Sequence, residues 1–554
     1  MAYGEDSDAG PGKPAGIIRR VLPADGRLGS SGNESKKRSD DPSATSCAYD
    51  AMAERWALPL DLFGGTQAMR DAATRWLPQE PAETDEAYAV RLRRSFLFNG
   101  YRDTVRRLVS YPFSRPVSVD EAAPESVAAL AGDVDLQGTD LTQFARAMLL
   151  DAAMLGLTHV LVDYPTADPS GVPRSVADEA RAGLRPFFVH VCPTNVIGWR
   201  SEKIGGVETL THLRIKESIV KRDGEFGDAI AQCIRVFDVV PINEMRGEIE
   251  IFTGHLVSWA LWRLAPKSNR SDAHGGWYVA EAGMLEGVDR IPLVTFYANT
   301  DGFMHGSPPL EDLAWVNLAH YQSGSDQRNI LRFARTGILF GAGFSEQDLG
   351  ANKRLEIGAN RMLMSENPQA QLRWVEHSGA SIGAGRQDLV DLKEEMATLG
   401  LQPLVNKTGG MTATQAAIDT AHAMCDLRAW ARSLENALSQ AFGIAAKWMA
   451  VEIAAPIVVD VDDDWGLSVG DAEDVRQLID LRRSRDLSRE TLWSELRRRG
   501  LLDDSFDGDE EEVRLQAEEP PLGSFGSNLP GQVDGAGEGG DQNGMPDHRS
   551  ASGQ

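Results

Sequence analysis

The spacing of apolar positions changes character several times along the chain, and each change predicts an element. Thr84 followed by Asp85 and Glu86 predicts a helix start, with acids set against the positive end of the helix dipole. This helix is expected to run through Arg91, Phe96 and Tyr101 to Val109 and to stop before Pro112. A second helix is expected from Thr139-Asp140 to Gly156, leading directly into the apolar run HVLVDYP at 159–165. Between about 186 and 300 the pattern turns strand-like. Segments 186–192, 207–215, 233–240, 248–254, 256–264, 276–283 and 291–299 are candidate strands, several alternating with period two.

At Ser307-Pro308-Pro309, with Glu311 and Asp312 behind, the pattern switches to helix. Leu310, Leu313, Ala314, Leu318 and Tyr321 form one apolar stripe, and the helix is expected to reach about Arg335. Short strand-like pieces at 337–344, 361–366 and 371–379 precede a helix over about 385–399, closed by Gly400. Thr412 and Gln415 form a capping box at the head of the longest helix. Its Leu427, Trp430, Leu434, Ala437, Ala441, Ile444 and Trp448 recur at alternating threes and fours. From 412 to 449 it would be about 57 Å long at ~1.5 Å per residue, which suggests a pillar rather than a packing element. IVVDVDDDW (457–465) reads as a strand, and helices are expected at about 471–485 and 488–499.

Composition narrows the classes. The chain has 554 residues, 42% apolar and 25% charged, with a net charge of −26. At roughly 150 residues per domain this allows three or four domains. The acid excess argues against a surface that coats duplex DNA, but not against a protein that lets DNA pass without holding it. Cys47, Cys192, Cys233 and Cys425 are far apart with no CxxC pair, so a disulfide framework or zinc knuckle is not expected and a reducing compartment is. No apolar h-region opens the sequence and no run approaches the ~20 apolar residues of a membrane span, so a soluble intracellular chain without a membrane partner is expected. Residues 1–47 carry seven acids and seven bases without periodicity and predict a disordered arm. Residues 503–554 carry thirteen acids against Arg514 and Arg549; from Pro520 on, Gly, Pro, Asn and Ser predict a disordered acidic tail.

The search for catalytic chemistry yields little. Gly466-Leu467-Ser468-Val469-Gly470 matches a nucleophile elbow between a predicted strand and helix, but His548 in the tail is the only later histidine, too loosely placed to serve as base. The bland reading is a turn with Asp471 capping the next helix. Asp460, Asp462, Asp463 and Asp464 could attract a divalent cation, yet the EF-hand glycine and closing glutamate are missing and a solvated strand face is the simpler reading. Gly341-Ala342-Gly343 lacks the rest of a dinucleotide fingerprint, and there is no P-loop or zinc-binding helix motif. The arginines at 482–485 and 497–499 read as polar helix faces. No catalytic residue, metal or cofactor is expected.

The remaining signal is the order of the parts. IPLVTFYANTDGFMHGSPPLEDLAWVNLAHYQSGSDQRNIL (291–331), LRWVEHSGASIGAGRQDLVDLKEEMATLGLQPL (372–404) and VVDVDDDWGLSVGDAEDVRQLIDLRRSRDLSRETLWSELRRRGLL (458–502) resemble, in that order, segments of the portal (head–tail connector) proteins of tailed bacteriophages. The resemblance covers about 66–515. It implies an α+β, portal-type fold: a β-rich wing over 48–307, stem helices at 308–335 and 381–400, a small β-containing clip at 336–380, a tunnel loop at 401–411, a long wing helix at 412–455 and a short helical crown at 456–515. It implies further a homo-oligomeric ring of about twelve subunits at one capsid vertex of the virion, assembled in the host cytoplasm. Double-stranded DNA would pass through the ring, and the terminase large subunit, the head–tail adaptor and the major capsid and scaffolding proteins would bind it. The clip would offer Lys353, Arg354, Arg361 and Arg373 as contacts. The tunnel loop would present Asn406, Lys407, Thr408, Gly409 and Gly410 to DNA, with Lys407 as its one charge and the two glycines letting it bend. The alternatives are another virion structural protein, of tail or baseplate, and a serine hydrolase using Ser468.

Overall fold

The computed structural model describes residues 40–165, 184–246, 249–265, 273–336, 338–344, 367–375, 380–400, 413–462, 472–498, 502 and 506–517. Helices α1 (Cys47–Gly64), α2 (Thr66–Asp71), α3 (Asp85–Arg94) and α4 (Gly100–Ser110) lead to strand β1 (Ser118–Val119), helix α5 (Glu125–Ala128) and helix α6 (Leu141–Leu155). Strands β2 (Leu157–Asp163), β3 (Phe187–Val191), β4 (Val196–Ile204), β5 (Val207–Asp223), β6 (Gly227–Arg246), β7 (Ile249–Leu264), β8 (Trp277–Leu285), β9 (Leu293–Tyr297), β10 (Thr300–Gly302) and β11 (His305–Gly306) follow. Then come α7 (Glu311–Thr336), β12 (Ile338–Ala342), β13 (Gln371–Val375), α8 (Ala380–Leu399), α9 (Ala413–Trp448) and β14 (Val459–Asp460). The chain divides into two units at Trp465/Gly466, and helices α10 (Ala472–Arg483), α11 (Arg489–Arg498) and α12 (Gly508–Ala517) make up the second.

The first unit is α+β. Its core forms where α6 and β2 meet. Asp140 accepts from the Gln143 amide at 2.8 Å to start α6, and Gly156 ends it with φ 93°. No other residue fits at 156, because a Cβ there would stand 2.3 Å from the Ser307 carbonyl oxygen. Helix α6 buries residues all round, from Leu141 to Leu155. Strand β2 is central in the antiparallel order β3-β2-β9. The Trp56 indole of α1 donates to the Leu155 carbonyl at 2.8 Å and is 1% exposed.

Two expectations are corrected here. The single helix expected from Thr84 to Val109 is broken into α3 and α4. Ser95 is extended (φ −61°, ψ 143°), the Asn99 side chain accepts from the Arg102 amide at 2.9 Å, and Arg70 donates to the Ser95 carbonyl. Side chains thus satisfy the backbone groups that a continuous helix would have paired within itself. The long helix expected as a pillar is a packing element from Leu427 onward: Leu427, Ala431, Leu434, Leu438, Ala441, Phe442 and Ala445 are 0–1% exposed. It lies against β2, β9 and β14, with Phe442 edge-on to Phe188 at 5.0 Å. Its Thr412–Gln415 capping pair falls outside the described side chains.

The five-stranded sheet runs β4-β5-β6-β7-β8, antiparallel throughout. The strands expected at 248–254 and 256–264 are one strand, β7, which runs through Gly254; across the ladder a bulge between Ile242 and Asn243 of β6 takes up the register. Strands β5 and β6 also extend far past the expected 215 and 233, to a turn at 224–226. Near their base Leu213, Ile215 and Phe237 are buried; at the tip Val220 is 55%, Ile230 61% and Phe226 93% exposed.

Where this sheet meets β2, a buried charge cluster ties them. Arg235 of β6 pairs with Glu217 of β5, its Nε lying 2.7 Å from Oε1 and its Nη2 donating to Oε2 at 3.4 Å, and it donates through Nη1 to Asp163 of β2 at 3.2 Å. Burial pushes the Glu217 carboxyl up, against the pull of Arg235. The second unit is different: none of its described side chains is buried, and Trp493 packs edge-on to Phe506 at 5.5 Å beside Gly508. Ser488 caps α11 by accepting from the Thr491 amide at 3.0 Å.

Two predictions follow from the buried polar groups. Arg235→Met leaves Glu217 charged and alone, so it should cost about 3–5 kcal/mol in chemical denaturation, with part recovered by adding Glu217→Gln. His159 of β2 is 1% exposed and its Nδ1 lies 3.0 Å from Thr295 Oγ1. Burial, and secondarily His190, lowers its pKa from 6.5 to about 3. The unfolded chain therefore takes up a proton that the folded one refuses, and the stability present above 6.5 is lost as pH falls from there toward 3. The melting temperature of the protein should drop more steeply between about pH 7.5 and about pH 5 than that of His159→Gln; equal slopes would contradict this.

Candidate functional site

Of the three segments carrying the resemblance, 291–331 runs through β9 into α7 and 372–404 covers β13 and α8, whereas 458–502 falls on β14, α10 and α11. Helix α7 begins in the core. Leu310, Leu313, Ala314, Leu318 and Tyr321 are all buried, as the stripe predicts. The expected cap is not used: Ser307 Oγ accepts from Asn299 Nδ2 at 2.9 Å, and the helix starts at Glu311 with the Leu310 carbonyl accepting from Ala314.

Asn317, 0% exposed inside that stripe, is a functional position in the fold that apolar periodicity alone overlooks. Its Oδ1 accepts from the Tyr101 amide at 2.8 Å and its Nδ2 donates to the Phe98 carbonyl at 2.8 Å. It therefore satisfies both sides of the α3–α4 break at the first turn of α4. One turn on, Tyr321 and Ser95 hydroxyls meet at 2.8 Å. A lone polar residue in an otherwise apolar stripe is the signal that could have marked Asn317.

Past Tyr321 the partner of α7 is α8, running antiparallel. Gln327 Nε2 donates to the Ile382 carbonyl at 2.9 Å, Ser323 donates to Asp388 at 2.5 Å, and a Cβ on Gly324 would touch Leu389. Gly385 lies so close to Gln327 that a Cβ would stand 2.2 Å from its Oε1, which lets the helices approach. Met396 is the buried anchor of α8. His320 is 7% exposed, its ring 5.3 Å from Phe98, with burial and then Lys393 holding its pKa low.

Between the helices β12 and β13 pair antiparallel, Ile338 with Val375 through Ala342 with Gln371. Phe340 is 46% exposed, and the Arg373 guanidinium lies 5.2 Å from its ring centre. Arg373 is thus displayed on an exposed two-stranded ladder. Lys353, Arg354 and Arg361, and the loop residues Asn406, Lys407, Thr408, Gly409 and Gly410, lie outside the described residues.

The catalytic candidates are not assembled into a reacting group among the described residues. Thr158 Oγ1 lies 2.9 Å from His190 Nε2, but Asp151 approaches that same nitrogen at 3.4 Å. A hydroxyl nucleophile needs its acid on the other ring nitrogen to orient the base. Thr158 is also 0% exposed, out of reach of a substrate. Ser468 and its glycines lie outside the described residues, as do Asp463 and Asp464. Asp460 is exposed on β14 opposite Ser118, and Asp462 accepts from Ser114. Among the described residues no three His, Cys, Asp or Glu are grouped to hold a metal ion. No described helix is long and apolar enough to cross a membrane.

Comparison with known proteins adds the following. A family model described as a domain of unknown function (DUF4055) matches residues 309–449, from the start of α7 through α9. Among curated proteins none is significantly similar. Among solved structures, a chain of the virion of a native gene transfer agent particle is 12% identical with a TM-score of 0.33, over 82% of this chain and 99% of that one. A chain in the neck of the native particle, computed with C12 symmetry, gives 12% and 0.34 over the same shares. One in the neck of the empty particle, computed with C6 symmetry, gives 12% and 0.33 over 76% of this chain and 90% of that one. Likeness at these scores is too low to establish a shared fold.

Proposed function

We propose that this chain is the repeating subunit of a phage-type portal ring, set at one capsid vertex of a virion and serving as the channel for DNA packaging and ejection. One observation carries the reading. The antiparallel pair α7–α8, with an exposed strand pair between its helices, stands in the same linear order as the segments that resemble portal proteins. In this reading α7 and α8 are the stem, and the segment 336–380, with Arg373, is the clip that meets the head–tail adaptor and the terminase large subunit. The loop 401–411 lines the channel. The five-stranded sheet belongs to the wing, toward the capsid and scaffolding proteins.

The physical chemistry suits conduction rather than capture. Lys or Arg contacts to phosphate multiply around a ring and would hold DNA fast. A subunit with net charge −26 avoids that, and a single lysine in the loop, Lys407, gives a circle of weak contacts. Catalysis is not asked of the ring, since nucleotide hydrolysis would belong to the motor protein that docks on it. A ring of about twelve copies closes through heterologous contacts related by rotation.

Electron microscopy of the purified protein is expected to show rings with an axial hole; monomers or fibres would instead favour another tail or baseplate component. Lys407→Glu in an assembling particle is expected to change packaged genome length or genome retention while rings still form. Unchanged values of both would remove Lys407 from the mechanism.

A further inference from the structure

A cleft of about 410 Å³ lies between α3 and α7, on the flank of α7 away from α8. Glu83, Val90, Arg94, Ser325, Arg328 and Arg332 are among the residues that line it. One of its carboxylates is spent. Arg91 donates from Nε and Nη2 to Glu83 at 2.9 and 2.8 Å, and this pairing holds the Glu83 carboxyl below its usual range. Arg94 and Arg328 are exposed, and neither has a carboxylate partner among the described residues. The Arg328 guanidinium lies 4.5 Å from the centre of the Phe96 ring, itself 49% exposed. Stacked in this way, a guanidinium keeps its in-plane N–H donors free for a carboxylate. Ser325, 4% exposed, lines the same cleft, and its Oγ has no hydrogen-bond partner. A buried hydroxyl left unpaired is costly, and an incoming carboxylate would relieve it.

The opposite flank of the helix pair carries the complementary charge. Helix α8 turns Ile382, Gly385, Leu389 and Leu392 toward α7. At about 100° per residue, Asp391 and Glu394 stand about 140–160° around the helix from that stripe. Both are exposed, and neither has an ion-pair partner among the described residues. On α7, Ser325 and Gln327 are about 200° apart, so the cleft opens away from the contact with α8.

We infer that the cleft between α3 and α7 receives the acidic outer face of α8, around Asp391 and Glu394, from a neighbouring copy of this chain. Arg94 and Arg328 take the two carboxylates. The basic and acidic faces lie on opposite flanks of one helix pair, so the contact is heterologous and each copy offers a fresh half-site to the next. The inference rests on the ring reading and names the residues that close the ring.

Charge reversal tests it on the full-length chain, with assembly followed by sedimentation velocity and mass photometry, and folding by thermal melting. Arg94→Glu with Arg328→Glu, and separately Asp391→Arg with Glu394→Arg, are each expected to raise the assembly midpoint about tenfold or more at unchanged melting temperature. All four substitutions together should return it to within about threefold of the original chain. Rings that ignore both half-swaps overturn the pairing and leave the ring reading intact. Loss of rings in the arginine variant without rescue by the four-fold swap means that the cleft holds another anion, such as the acidic segment after 503 or a nucleic-acid phosphate, and likewise overturns it. A parent chain that stays monomeric overturns the ring reading and the pairing together.

Discussion

Everything in the first unit depends on how α7 divides its length between two environments. A helix must cover its apolar stripe, and α7 covers it in the main core only as far as Tyr321. Beyond that point its neighbours are α8 and the cleft beneath α3. Asn317 pins the changeover, because it bonds both the Phe98 carbonyl within the α3–α4 break and the second amide of α4, that of Tyr101. Removal of that side chain would leave the Tyr101 amide unpaired, while the Phe98 carbonyl would keep the Gly100 amide at 3.2 Å. The helix pair is therefore anchored in the core at the end that carries Leu313, Asn317 and Met396.

The long helix α9 plays the complementary role. Its buried second half is the spine on which the β3-β2-β9 sheet and the small β1–β14 pair rest. Across that sheet, the Glu217–Arg235–Asp163 cluster anchors the long β5–β7 ribbons. The cluster is a poor source of net stability but a strong specifier of position, since any slip would strand a charge in the interior. What projects beyond it is held by the backbone ladder and, at the turn, by Arg222 donating to the Gly224 and Glu225 carbonyls, with apolar side chains at the tip in solvent.

Much of this was legible in the sequence wherever local chemistry and burial agree. Helix α6 begins at Asp140 and ends at Gly156 as its cap and glycine predict, and the apolar stripe of α7 lies where periodicity puts it. The break at Ser95–Asn99 was not legible, because Phe96 and Phe98 continue an apolar pattern that reads as helix although both are nearly half exposed. The outer halves of β5 and β6 were missed for a related reason. Their residues pair across a ladder without a core beneath them, so no period-two burial marks them. Of the candidate site, the order helix, strand pair, helix could be read directly, whereas Asn317 and the arginine-lined cleft could not.

The sequence by itself determined the order of most elements from α6 to α11 and the acidic balance, since these follow from local propensity, periodicity and charge. Only the tertiary structure decided that α9 is a core helix from Leu427 onward rather than a pillar. A stripe of leucines and alanines at threes and fours suits a neighbouring helix or a sheet equally well. It also decided which charges are spent and which remain available: Arg91 and Arg94 are near neighbours in sequence, yet one is buried against Glu83 and the other faces open solvent. That difference comes from packing across α3 and α7, and no pattern along a single chain segment contains it.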